Sequence, residues 1–115
     1  MLERNIQRLL LDWLNTQPNI KVWRQNTGAS AYTFKGKKRF VRFGIPGQSD
    51  LVGLTPGGKF LAIEVKSSKG KLTEHQREYL NMVRKYGGIA LCVSSLEELQ
   101  DQLQAELNER KRYYQ

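Results

Sequence analysis

The feature that most constrains the fold is a short run, residues 60–66, that is apolar on both sides of an extended chain. It reads Phe-Leu-Ala-Ile-Glu-Val-Lys, so apolar side chains fall at both odd and even positions. Because successive side chains of a strand point to opposite faces, such a strand is typical of a sheet that is covered on both faces. The run therefore predicts a central sheet between layers of helix.

Helical spacing of apolar residues predicts the covering layers, and turn residues separate the strands. We expect Thr73 to cap the second helix, and Ser95 and Glu98 to form a capping box at the start of the third. The order α-β-β-β-β-β-α-β-α predicts a single α/β domain over residues 1–115, with a mixed central sheet flanked by helices. The predicted helices cover residues 2–16, 73–86 and 95 onward, and the predicted strands cover residues 20–25, 31–34, 39–43, 50–54, 59–66 and 89–93.

The charge of the chain is strongly basic and unevenly distributed. Lys and Arg number 19 against 11 Asp and Glu, giving a formal net charge of +8 and a pI near 9.8. No acidic residue lies between Asp12 and Asp50. Within that window, residues 31–43 predict a basic hairpin joined through residues 35–38. A solvated surface would also explain a basic run, but an acid-free window of this length favours a polyanionic partner.

The composition excludes several classes of site. With Cys92 as the one cysteine and His75 as the one histidine, an internal disulfide, a cysteine-rich zinc site and a histidine-based metal site are not available. No apolar run approaches the roughly 18 residues of a membrane span. We therefore expect a cytoplasmic protein, without a membrane partner, whose chemistry depends on carboxylates, lysine and metals that prefer oxygen.

Charged residues occupy one face of the central strand. Glu64 and Lys66 share a face with Phe60, about 6.6 Å apart along the strand, and buried charges need partners or a metal. If residues 56–58 form a three-residue turn, Asp50 lies opposite Glu64, at a Cβ separation of about 5 Å. A turn one residue longer or shorter would change this register. Two carboxylates so close repel each other unless a cation or a proton lies between them.

Two more polar residues fall on helix faces that should be apolar. Glu3 lies within the apolar stripe of the first helix, although an acid in the first turn also complements the helix dipole. Gln76 lies on the apolar face of the second helix, although Thr73 and Gln76 also match a capping box. So many polar groups directed inward in a small domain suggest a site.

These residues resemble the active site of the PD-(D/E)XK nuclease superfamily, and more narrowly that of the VRR-NUC family (virus-type replication-repair nuclease). The resemblance covers nearly the whole chain, and its ordered set is more specific than an isolated Glu-x-Lys. One departure from the superfamily pattern is Ser49, where proline usually precedes the aspartate. The matching segments are Glu3, Trp23-Arg24-Gln25-Asn26-Thr27-Gly28, Gly47-Gln48-Ser49-Asp50, Glu64-Val65-Lys66, Gly70-Lys71-Leu72-Thr73 and Gln76.

The resemblance implies a restriction-endonuclease-like fold and a DNA endonuclease that depends on Mg²⁺ or Mn²⁺. Asp50, Glu64 and the Val65 carbonyl would be metal ligands, with Glu3 acting through water. Lys66 would orient or help deprotonate the attacking water. Gln76 would hold Lys66 or the water in position.

The DNA and the assembly are also expectations. Family members of this size include enzymes similar to Holliday-junction resolvases, so branched DNA, a role in DNA repair and a homodimer are implied. The leucine stripe of the last helix and the basic hairpin are rival dimer surfaces. Alternatives are a non-catalytic basic nucleic-acid-binding module and a sequence-specific restriction-type endonuclease. The expected DNA-binding residues are Arg24, Asn26, Lys35, Lys37, Lys38, Arg39, Arg42 and Lys69.

Overall fold

The computed structural model describes residues 2–25, 28–43, 45 and 47–113. Within them, helices and strands follow each other in the predicted order. No helix in these ranges is long and apolar enough to cross a membrane. The elements are α1 (Glu3–Leu14), β1 (Lys21–Arg24), β2 (Gly28–Phe34), β3 (Lys37–Phe43), β4 (Leu51–Thr55), β5 (Lys59–Val65), α2 (Glu74–Lys85), β6 (Ile89–Val93) and α3 (Leu96–Tyr113).

The central sheet has four strands in the order β1-β4-β5-β6. The β1–β4 and β4–β5 pairs are antiparallel, whereas β5 and β6 are parallel. This parallel pair needs a crossover, which α2 provides. The turn between β4 and β5 has three residues, and Thr55 pairs with Lys59 as the sequence predicts. The sheet is therefore mixed and flanked by helices, which confirms the predicted fold class.

The two faces of the sheet carry separate apolar clusters. Alternate residues of β5, Leu61, Ile63 and Val65, are fully buried in a cluster with residues of α1 and α3. On the other face, Ala62 packs in a smaller cluster with Leu80 and other residues of α2. The expected two-sided burial is thus confirmed for residues 61–65, with one helix layer on each face, whereas Phe60 is exposed and Lys66 is half-buried.

The basic hairpin differs from its predicted bounds and location. Its turn contains Lys35 and Gly36, with φ of 50° and 72°, rather than four residues. Positive φ at both central residues is the geometry of a two-residue hairpin turn, whose twist matches that of the flanking strands. Lys37 and Lys38 consequently belong to β3, opposite Phe34 and Thr33. Strands β2 and β3 form a two-stranded sheet separate from the central one.

Helix α3 packs its leucine stripe inside the chain. Leu99 and Leu103 are buried in the α1/α3-side cluster, and Leu96 and Leu107 pack partly against it. The stripe is therefore covered by the chain's own sheet, and its role as a free dimer surface is not supported.

The predicted capping box at the start of α3 is only half formed. Ser95 Oγ accepts a hydrogen bond from the Glu98 N–H. The Glu98 carboxylate, however, accepts from the Ser94 hydroxyl and from Gln102. Both carboxylate oxygens of Glu98 are therefore engaged by Ser94 and Gln102. A complete capping box would instead need one of them to accept from the Ser95 N–H.

Candidate active site

Asp50 and Glu64 face each other across the β4–β5 pair. Leu51 is opposite Ile63, so the next step of this antiparallel register brings Asp50 opposite Glu64, on the face covered by α2. Asp50 Oδ2 accepts a hydrogen bond from the Val65 N–H at 2.9 Å. The register expected from the three-residue turn is thus confirmed, and Asp50 is held at the point where β5 carries Glu64.

Glu64 is a buried carboxylate whose two oxygens have different surroundings. Its residue is 2 % exposed. Oε1 accepts a hydrogen bond from Gln76 Nε2 at 2.9 Å, whereas Oε2 is buried and has no hydrogen-bond partner among the described residues. Burial, followed by the nearby Asp50 carboxylate, raises the pKa of Glu64 from 4.5 to about 8. An unpartnered buried carboxylate oxygen beside a second carboxylate favours a positively charged ligand.

Gln76 forms the capping box that the sequence suggests, and its amide also enters the site, where the hydrogen-bond partner is Glu64 rather than Lys66. Its side-chain oxygen accepts from the Thr73 N–H at 2.9 Å, and Thr73 Oγ1 accepts from the Gln76 N–H. The capping box of α2 is therefore complete. Because the amide oxygen of Gln76 is engaged by the cap, its amide nitrogen is directed to Glu64. The start of α2 thus fixes the orientation of the buried carboxylate.

Glu3 and Lys66 lie around Gly70, beyond the end of β5. Glu3 Oε1 accepts from the Ser67 N–H at 3.1 Å. A Cβ on Gly70 would lie 3.3 Å from Glu3 Oε1 and 3.4 Å from the Lys66 side-chain Cδ. Lys66 is half-buried, and its charge opposes the rise in the pKa of Glu64, whereas Glu3 adds to it. All five residues predicted to be catalytic therefore lie at one end of β4 and β5.

Gly47 and Gln25 also position the site, and the residue pattern does not predict this role for either. Gly47 has a φ of 78°, and a Cβ there would collide with the His75 carbonyl at the start of α2. The segment before Asp50 therefore needs glycine to pack against the helix that carries Gln76. The Gln25 N–H donates to the Asp50 carbonyl at 3.0 Å. Both residues belong to segments quoted for the resemblance, so that match was the only signal.

The residues fit a divalent cation that prefers oxygen ligands. In the described part of the chain no three His, Cys, Asp or Glu side chains are grouped closely enough to hold a metal ion. The carboxylate donors are therefore Asp50 and Glu64, and Glu3 is engaged with Ser67. Mg²⁺ and Mn²⁺ suit such a site because they take carboxylate and carbonyl oxygens and retain water. The unpartnered Glu64 Oε2 is the observation that supports this fit.

Seven of the eight predicted DNA-binding residues lie in the described part of the chain, at three places: the hairpin, the end of β1 and the segment beside Gly70. Those at the hairpin tip are exposed, and Arg42 lies opposite Ala29 in the same hairpin. Arg24 is exposed at the end of β1, and Lys69 is exposed beside Gly70. Asn26 lies outside the described residues. The hairpin-tip group consists of Lys35, Lys37, Lys38 and Arg39.

Comparisons with known proteins agree with the predicted family and fold. A family model described as the VRR-NUC domain matches residues 3–96, a span that contains all five predicted catalytic residues. A solved structure described as a VRR_NUC domain protein has a TM-score of 0.57 and 19 % sequence identity, and covers 90 % of this chain and 86 % of that chain. A comparison with curated proteins gave no match. The family match over most of the chain shows that it belongs to the VRR-NUC domain family.

Proposed function

We propose that this nuclease domain is a metal-dependent, structure-specific DNA endonuclease that cuts phosphodiester bonds at branched DNA. The observation that carries the proposal is the pair of facing carboxylates, Asp50 and Glu64, with Glu64 Oε2 buried and unpartnered. A protein that only bound DNA would gain nothing from buried carboxylates, because they repel phosphates. Two buried carboxylates in a domain with a formal net charge of +8 favour catalysis over simple binding.

The carboxylates and the Val65 carbonyl would hold the cation. The bound Mg²⁺ or Mn²⁺ would supply positive charge to the scissile phosphate and lower the pKa of a bound water. Asp50 is oriented by the Val65 N–H, and Glu64 by Gln76. Each carboxylate thus uses one oxygen for positioning, and this leaves the Glu64 Oε2 oxygen free to bind.

Lys66 and Glu3 complete the proposed chemistry. The Lys66 ammonium follows Glu64 by two residues on the same strand face, so it can orient the attacking water and offset negative charge in the transition state. Glu3 holds the Ser67 N–H, which fixes the backbone that follows Lys66. Glu3 then acts on the reaction through the position of Lys66 and through water.

Substrate choice and assembly belong to the same proposal. A four-way junction must be cut on two strands, and a two-fold homodimer would present two active sites to it. The leucine stripe of α3 is covered within the chain. The basic hairpin is therefore the surface that we propose for dimer or DNA contact.

The direct test is cleavage of linear, flapped, forked and four-way DNA of shared sequence, with Mg²⁺ or Mn²⁺. We expect the wild type to cut branched DNA preferentially, and Asp50→Asn, Glu64→Gln and Lys66→Ala to abolish cutting while remaining folded. Full activity in any folded one of these variants would refute the site. DNA binding without cleavage by the wild type would support the non-catalytic binding module instead.

The dimer has a separate test, light scattering at micromolar concentration without DNA. We expect about twice the chain mass of 13.3 kDa. A chain that stays monomeric even on junction DNA would refute the homodimer and favour flap or nick cleavage.

A further inference from the structure

A basic cleft lies between α1 and the edge strand β1, apart from the carboxylate pair. Its volume is about 440 Å³, many times the roughly 30 Å³ share of one water molecule. Arg4, Asn5 and Arg8 of α1 and Arg24 of β1 line it, and none of the lining residues that the structure describes is acidic. We call it the arginine cleft. Arg4 and Arg8 are one helical turn apart, so their side chains emerge side by side on the exposed face of α1.

Within the part of the chain that the structure describes, the three guanidinium groups of the arginine cleft have no counterion. Across residues 2–25, 28–43, 45 and 47–113, none of Arg4, Arg8 or Arg24 makes an ion pair or a hydrogen bond through its side chain. Like charges one helical turn apart repel each other. Arg84, by contrast, donates to the Ala90 carbonyl and the Asn81 side chain, as a structural arginine does. Three clustered cations without partners fit a ligand that brings several negative charges.

Both walls of the arginine cleft are connected by hydrogen bonds to the catalytic strand ends. On the α1 wall, Glu3 precedes Arg4 and accepts from the Ser67 N–H, next to Lys66. On the β1 wall, Gln25 follows Arg24 and donates to the carbonyl of Asp50. The cleft is therefore held in a fixed relation to the residues that would act on the scissile phosphate.

We propose that the arginine cleft binds backbone phosphates of the DNA strand beside the one at the catalytic carboxylates. A guanidinium group can donate two parallel hydrogen bonds to two oxygens of a phosphate. The Asn5 amide can donate to a further phosphate oxygen. This rests on the proposed function for the identity of the ligand as DNA. It adds a rigid second anchor, which sets how the strand lies across the site.

The experiment compares two variants that remove the same charge from different surfaces. Arg4→Gln/Arg8→Gln removes two cations from the cleft, and Arg77→Gln/Lys85→Gln removes two exposed cations from α2. Affinity for a fluorescent duplex and a fluorescent four-way junction is measured by anisotropy with EDTA, over a series of salt concentrations. Binding is thereby separated from cleavage. Thermal melting checks that both variants are folded.

We expect the cleft variant to lose at least about tenfold in affinity, because charge-assisted contacts are lost. The slope of log affinity against log salt should fall by about two, one for each phosphate contact removed. The α2 variant should change much less. Equal losses in both variants would refute the cleft and leave only general electrostatic attraction. Absence of DNA binding by the wild type would also refute the cleft.

A second measurement identifies the phosphates. Neutral methylphosphonate replacements are placed one at a time along the cut strand, and Arg4→Lys/Arg8→Lys keeps the charge without the paired hydrogen bonds. We expect one or two positions to weaken wild-type binding, to have a smaller effect in Arg4→Lys/Arg8→Lys and to have little effect in Arg4→Gln/Arg8→Gln. Uniform sensitivity along the strand would refute a discrete site. A wild type that binds through these positions but never cuts would refute the nuclease proposal alone.

Discussion

The two faces of β5 show how one strand can serve both stability and chemistry. On one face, Leu61, Ile63 and Val65 are fully buried against α1 and α3. On the other, Glu64 is as deeply buried, yet one of its oxygens has no partner. Ile63 and Glu64 therefore have almost the same exposure. Burial of the Ile63 side chain stabilises the fold, whereas burial of the Glu64 charge destabilises it.

The difference follows from how much apolar material covers each face. Among the described residues, thirteen form the buried cluster of the α1/α3 face, against five on the α2 face. The larger cluster stabilises the domain through the area it removes from water. That surplus allows the α2 face to retain polar groups whose burial is unfavourable. The residues predicted to be catalytic lie on the face with fewer packed apolar residues, and the opposite face supplies the stability.

The sharpest test of this comparison is a truncation on the packed face. Ile63→Ala should lower the free energy of unfolding by about 2–5 kcal/mol, because a fully buried side chain leaves a cavity. Cleavage per folded molecule should remain close to wild type, since Ile63 points away from the carboxylates. Chemical denaturation and single-turnover cleavage measure the two effects. Should the chain fail to fold, Ile63→Val, with an expected loss of about 0.5–1.5 kcal/mol, allows the same comparison.

The matching change on the other face should have the opposite effect on stability. In metal-free protein, Glu64→Gln should raise the free energy of unfolding by about 1–3 kcal/mol at pH 8, because an amide has no charge to bury. In the unfolded chain Glu64 ionises near pH 4.5, whereas burial and Asp50 raise its pKa to about 8 in the fold. Its carboxyl group therefore destabilises the fold increasingly as pH rises from about 4.5 to 8.

Melting curves at pH 5 and pH 8 measure this dependence. The gain from Glu64→Gln should be small at pH 5 and larger at pH 8, and Mn²⁺ should stabilise the wild type but not the variant. An equal gain at both pH values would show that the Glu64 charge is not the source of strain.

The start of α2 allows helix capping to be separated from the hydrogen bond that Gln76 donates to Glu64. Thr73→Ala removes the cap hydroxyl, and should lower the free energy of unfolding by about 1 kcal/mol without changing the cleavage rate. Gln76→Ala removes its part of the cap and also the hydrogen bond to Glu64. We expect a similar loss of stability and a cleavage rate lower by about tenfold. Equal cleavage by both variants would restrict Gln76 to capping.

The smallest effect is expected beside Asp50. Ser49 is fully buried, and its hydroxyl has no hydrogen-bond partner in the described structure. Ser49→Ala should therefore leave stability unchanged or raise it by up to about 1 kcal/mol, with cleavage unaffected. Thermal melting would detect this, and a clear loss would show that the hydroxyl has a partner such as a buried water.

Much of the site could be predicted because local rules specify it. The three-residue turn after Thr55 sets the register that brings Asp50 opposite Glu64, and Thr73 with Gln76 forms the expected capping box. The roles of Gly47 and Gln25 could not be predicted from the pattern. Each depends on a contact with an element distant in the sequence.

The sequence by itself determined the order of elements and the two-sided burial of residues 61–65, and it predicted the pairing of the carboxylates on the condition of a three-residue turn. These follow from side-chain periodicity and turn geometry, which operate over a few residues. Only the tertiary structure decided that the hairpin forms its own sheet and that α3 buries its leucines. It also decided that Arg24 lines the same cleft as Arg4 and Arg8. Those outcomes depend on which distant surfaces pack together, because no local pattern specifies the partner of an exposed side chain or of a helix face.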